Sequence, residues 1–95
     1  MSFPSGTLQA APNLRTRPSP DIGGLLVFTP KNPNVFFLNY TSWTIFELCD
    51  GRSVPDAREA FCDFMSGVAT REEAMSQFDK GLTTLQAKGI IVASA

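Results

Sequence analysis

Two apolar runs of strand length, Leu25 to Thr29 and Val35 to Leu38, precede residue 39, and beyond it the apolar residues recur every three or four positions. The first pattern suits a backbone whose side chains stand on both sides of a sheet, and the second suits one face of a helix. The change of period divides the chain into a strand half and a helix half. Five turn-forming residues, Pro30, Lys31, Asn32, Pro33 and Asn34, separate the two runs, so these are expected to form a hairpin. Ahead of them, Leu14 and Thr16 alternate with Asn13, Arg15 and Arg17, which predicts a short strand ended by Pro18 and Pro20. Residues 1–12 show no sustained period and contain Gly, Pro and small polar residues, so they are expected to be a flexible tail before a domain spanning 13–95.

Three helices follow, each with its own start and stop. Asn39 or Thr41 can cap the first, whose Trp43, Ile45, Phe46 and Cys49 recur at helical spacing before Asp50 and Gly51 end it. Ser53 can cap the second, with Pro55 tolerated in the first turn and Asp56 three residues after the cap. Its apolar face is read as Val54, Ala57, Phe61, Phe64 and Met65, and Gly67 ends it. Thr70 and Glu73 have the spacing of a reciprocal capping box at the head of the third helix. Met75, Phe78, Leu82 and Leu85 then form one stripe, closed by Lys88 and Gly89. Ile90, Ile91 and Val92 are too apolar to dangle and are expected to return to the core. Gly81, inside this helix, costs roughly 1 kcal/mol against Ala, a cost that close approach of a neighbouring backbone would offset.

The predicted fold class is therefore α+β: a short three-stranded antiparallel β-sheet followed by three α-helices, joined by loops of a few residues. At 95 residues one core is all the chain can build, and with 43% hydrophobic residues and eight Phe it has the material to do so. Such a sheet has free edges, and an edge strand beside a helix is a place where another chain can add.

The same residues argue against several kinds of chemistry. The chain has no His, which removes the commonest general base and transition-metal ligand. Cys49 and Cys62 are far apart and fall in apolar helical stretches, as buried thiols do. No nucleotide-binding glycine loop or nucleophile elbow is present, and Glu72 and Glu73 are explained by a helix N-terminus. The expectation is no catalytic residue, no metal and no cofactor. A formal net charge of -1 gives no field toward phosphate backbones, so nucleic acid is not an expected partner. There is neither an apolar stretch of membrane-spanning length nor a signal-peptide pattern, so the expected location is the cytoplasm, away from membranes.

Leu38, Asn39 and Thr41, followed by Ile45, Phe46, Glu47, Leu48, Cys49, Asp50 and Gly51, form the pattern L-N-x-T-(x)3-I-F-E-L-C-D-G. This resembles the PqqD-like proteins, and the likeness extends from about residue 13 to 92, through Ser53 and Val54 to Leu85, Lys88, Gly89, Ile90 and Ile91. The resemblance implies a winged helix-turn-helix-like fold and a role as the recognition element for a ribosomally made precursor peptide. It further implies that the leader segment of that peptide adds as an antiparallel strand to the third strand, Val35 to Leu38, against the third helix. A partner enzyme, often a radical S-adenosylmethionine protein, then modifies the peptide.

The expected peptide-binding residues are Val35, Phe36, Phe37 and Leu38 on the strand and Phe78, Asp79, Leu82, Leu85 and Gln86 on the third helix. Phe36 and Leu38 are placed on the helix-packed face of the strand, Val35 and Phe37 on the other. Phe37 is read either as a contact for the bound peptide or as cover for another part of the sheet or the N-terminal tail. Phe78 and Leu82 are core residues whose stripe can also floor a groove, with Asp79 and Gln86 flanking it. The competing reading is a winged-helix DNA-binding regulator. It would need several bases on the exposed face of the second helix, where Arg58 stands among Asp56, Glu59 and Asp63.

Overall fold

The computed structural model describes residues 7–30 and 33–94. Its elements run β1 (Thr7–Ala10), β2 (Arg15–Ser19), β3 (Gly24–Thr29), β4 (Asn34–Asn39), α1 (Tyr40–Leu48), α2 (Val54–Phe64), α3 (Arg71–Ala87) and β5 (Ile91–Ser94), with one 3-10 turn at Pro20–Ile22 before β3. The fold is α+β, a small antiparallel sheet with three helices, as the change of period predicts. Lys31 and Asn32, which the sequence sets between β3 and β4, lie outside the described residues.

Strands β2, β3 and β4 form the main sheet in that order, all antiparallel. Leu25 pairs with Leu38 and Val27 with Phe36, so these four share the face that meets the helices. Leu25, Val27 and Leu38 are buried there. The strand expected at Asn13 to Arg17 begins two residues later and runs through Pro18 to Ser19. A proline inside a strand removes a donor, and it is tolerated here because β2 is an outer strand of the sheet.

The N-terminal segment departs from the tail expected over residues 1–12. Thr7–Ala10 is a strand, and it pairs antiparallel with Ile91–Ser94 in a second, two-stranded sheet. Leu8 is 1% exposed and belongs to the core. On its other side the backbone of Leu8 reaches the α1–α2 loop: its N–H donates to the Arg52 carbonyl at 2.7 Å and its carbonyl accepts from Gly51 N–H at 2.7 Å. Residues 1–6 lie outside the described residues.

Each helix begins on a side-chain cap. The Asn39 side-chain oxygen accepts from Ser42 N–H at 2.9 Å, and the Ser53 hydroxyl oxygen accepts from Asp56 N–H at 3.3 Å. At α3 the capping box is complete, with Thr70 Oγ1 accepting from Glu73 N–H at 3.1 Å and Glu73 Oε1 accepting from Thr70 N–H at 3.0 Å. The core joins Ile45 and Cys49 of the first helical segment, Ala57, Phe61 and Cys62 of α2, and Ala74, Phe78, Leu82 and Leu85 of α3. Ile90 and Ile91 close it from the C-terminal side. Phe61 and Phe78 meet at a centroid distance of 5.9 Å, tilted by 47°. One expected core residue of α2 is elsewhere: Phe64 is 64% exposed, and Cys62 is buried instead. Phe64 is the last residue of the helix, where it lies beside Leu48 on the outside of α1 rather than over the core.

Candidate functional site

β4 is the outer strand of the main sheet, and alternation divides its side chains between the two faces. Leu38 is buried and Phe36 half-buried toward the helices, whereas Val35 is 58% and Phe37 45% exposed on the opposite face. Across the sheet, the outward face continues in two rows, Arg15–Phe28–Val35 and Arg17–Leu26–Phe37. Phe37 also covers part of the sheet. A Cβ on Gly24 would come within 2.6 Å of Phe37 Cε1 and would collide with the Leu38 carbonyl oxygen, so the ring occupies the space a side chain on β3 would need.

Lys88, the residue that caps α3, brings the end of that helix to β4: its ammonium nitrogen stands 5.0 Å from the centroid of the Phe36 ring. This is a cation–π distance, and it determines which side of α3 borders the strand. Successive residues on a helix turn by about 100°, so Thr84, four residues before Lys88, shares its side. Gln86, two residues before Lys88, and Asp79, nine before it, point almost opposite. Asp79 is engaged there by Arg58 of α2, whose Nε and Nη2 lie 3.1 and 3.0 Å from its Oδ1.

The expected site residues therefore divide. Val35, Phe36, Phe37 and Leu38 are together on the outer strand. Phe78, Leu82 and Leu85 are 0%, 7% and 1% exposed, in the core beneath the helix rather than along an open groove. Asp79 and Gln86 lie on the side of α3 turned away from β4. Lys88 is the residue that sequence spacing missed. Its position at the C-terminal cap is explained by the helix dipole, and only the Phe36 contact distinguishes it. Gly81 faces Ile45 of α1, so a neighbouring side chain, not a backbone, comes close to it.

Little in this region suggests reaction chemistry. Among the described residues no group of three or more His, Cys, Asp or Glu is placed to hold a metal ion. Cys49 is buried, and desolvation, with Asp50 adding to it, pushes its thiol up to about 11, away from the reactive thiolate. Arg58, the base that α2 would offer to DNA, is held by Asp79, and Arg71 is held by Glu59. No described helix is long and apolar enough to cross a membrane.

Residues 24–91 match the model of the family described as Coenzyme PQQ synthesis protein D (PqqD). No curated protein and no solved structure gives a significant match. The matched span begins with β3 and ends with the first residue of β5, so it contains β4 and all three helices.

Proposed function

The chain belongs to the PqqD family, and from that premise we propose that it is a non-catalytic recognition protein that binds the leader segment of a ribosomally made precursor peptide and presents it to a modifying enzyme. The leader adds to β4 as a fourth, antiparallel strand. The observation that carries this reading is the sheet order, which leaves β4 outermost with the end of α3 beside it. Main-chain hydrogen bonds to an outer strand supply affinity without demanding a sequence, and side chains at alternate positions supply selectivity.

On the added strand, residues facing the helices would meet Phe36, Thr84 and Lys88, and those facing outward would extend the rows that end in Val35 and Phe37. A carboxylate in the leader would find the Lys88 ammonium. The enzyme served would be a radical S-adenosylmethionine protein or another peptide-modifying catalyst, and the complex would assemble in the cytoplasm.

Amide hydrogen exchange tests the placement, with and without the leader segment of the cognate precursor peptide. Protection is expected to rise at Val35 to Leu38 and in the last turns of α3 while α2 stays unchanged. A rise confined to α2 would move the site elsewhere.

A further inference from the structure

The outward side of α1 carries side chains that a solvated helix does not need. Ile45 and Cys49 point into the core at 0% and 1% exposure. On the other side Tyr40 is 58% exposed and stacks on Trp43, with ring centroids 6.0 Å apart and planes at 11°. Thr44, Glu47 and Leu48 continue this surface, and Phe64 at the end of α2 walls it. These six residues enclose a shallow, mainly apolar groove of about 480 Å³. Thr44 donates its hydroxyl to the Tyr40 carbonyl at 2.8 Å, which leaves Glu47 as the charged group of the groove. Among the described residues Glu47 has no ion-pair partner.

Charge indicates what the groove accepts. From Tyr40 to Met65 the chain has five carboxylates, Glu47, Asp50, Asp56, Glu59 and Asp63, against Arg52 and Arg58. Both of those arginines are already paired, with Asp50 and Asp79. Asp50 and Glu59 are paired as well, with Arg52 and Arg71, so Glu47, Asp56 and Asp63 carry the excess negative charge of α1 and α2. Glu47 is the one that lines the groove, whereas Arg15 and Arg17 lie on β2 without ion-pair partners among the described residues. A second copy seated by its own groove would bring Glu47 against Glu47, which disfavours a symmetric dimer here.

We propose that this groove docks a basic, apolar segment of the modifying enzyme, with an arginine or lysine stem lying over Tyr40 and Trp43 and its charged head meeting Glu47. Aliphatic neighbours of that base pack on Leu48 and Phe64. Guanidinium groups stack on aromatic faces and pair with carboxylates, and Trp and Tyr, here a half-buried Trp43 under an exposed Tyr40, are typical anchors of protein interfaces. The inference rests on the presentation role argued above. It adds a second surface, on elements other than the β4 edge, so that leader and enzyme can be held at once.

Two measurements test it. The first titrates 15N-labelled protein, without any leader, with an amidated hexapeptide of alternating leucine and arginine and with its glutamate counterpart. The arginine peptide should perturb the amides of Tyr40 to Leu48 and Phe64 and the Trp43 indole, and the glutamate peptide should not. Glu47→Arg should weaken the arginine peptide about tenfold, the loss of one charge-assisted contact, while Glu72→Arg on α3 changes affinity less than about twofold. Equal weakening by the two variants, perturbations on another face, or no binding would overturn the site. Because Glu47 and Glu72 are exposed, both variants should keep the fold.

The second measurement uses the cognate modifying enzyme. Glu47→Arg should lower affinity for the enzyme by a similar factor and leave leader-dependent protection at Val35 to Leu38 intact. Unchanged enzyme affinity would remove the enzyme as occupant, whereas lost leader protection in the unaltered protein would remove the presentation role itself.

Discussion

A Cβ placed on Gly81 of α3 would lie 2.5 Å from Cδ1 of Ile45 on α1, so a side chain there would force the buried Ile45 to shift. Inside a helix, glycine costs roughly 1 kcal/mol against alanine, and burial of Ile45 offsets that cost through closer packing. Gly81→Ala should therefore lower stability by about 1 kcal/mol, because overpacking outweighs the gain in helix propensity. Adding Ile45→Val, which removes the offending methyl, should recover most of the loss. Urea denaturation of the two single variants and the double variant measures the coupling, and strict additivity would show that the contact is not what Gly81 serves.

Cys49 gives a pH signature. Burial pushes its thiol from an ordinary 9.0 up to about 11, so its thiolate fraction near neutrality falls roughly a hundredfold. Ellman's reagent should react with native Cys49 correspondingly more slowly than with the unfolded chain, as read in a Cys62→Ala background. The unfolded thiol loses its proton before the folded one does. The folded state therefore binds more protons between about 9 and 11, and this contribution to stability is present below that window and lost as the pH rises through it.

At the head of α3, both halves of the capping box can be tested. Thr70→Ala should lower stability by about 1 kcal/mol, the usual loss of a side-chain N-cap. The backbone and hydroxyl of Thr70 hold the Glu73 carboxyl below its ordinary range. Its contribution is thus present above the unfolded carboxyl pKa and lost as the pH falls through the folded one. Thr70→Ala keeps the backbone N–H and removes the hydroxyl, so it should raise the Glu73 titration midpoint seen by NMR only in part. A midpoint in the ordinary carboxylate range in the unaltered protein would mean that the box does not form in solution.

Legibility in the sequence followed the range of the interactions involved. The caps at Asn39, Ser53 and Thr70 and the pairing of Leu25 to Thr29 with Val35 to Leu38 depend on near neighbours, and the structure places them as expected. Spacing also shows that Phe78, Leu82 and Leu85 share a stripe, but it cannot say which element lies to either side of that stripe. For this reason Asp79 and Gln86 could be named beside the candidate groove when Lys88 is the residue that meets β4. Phe61 and Phe64 look alike in sequence, and only the end of α2 separates a core ring from one that walls an outer groove.

Thr7–Ala10 leaves no mark in the sequence pattern, because a four-residue strand with one inward apolar side chain has no period, and its partner is Ile91–Ser94, far along the chain. That partnership makes it the sharpest test of the fold. Leu8 is 1% exposed, opposite Ala93 in the register, and its backbone is bonded to Gly51 and Arg52 as well. β1 therefore lies between the C-terminal strand and the α1–α2 loop. Leu8→Ala should cost about 2–5 kcal/mol, the range for a leucine removed from a packed core. A change in a loose tail would cost almost nothing. Leu8→Ala should also speed amide exchange at Ile91 and Gly51, which lose their support together, while β3 and β4 exchange as before. A melting temperature within a degree of the unaltered protein would show that Leu8 is not part of the core.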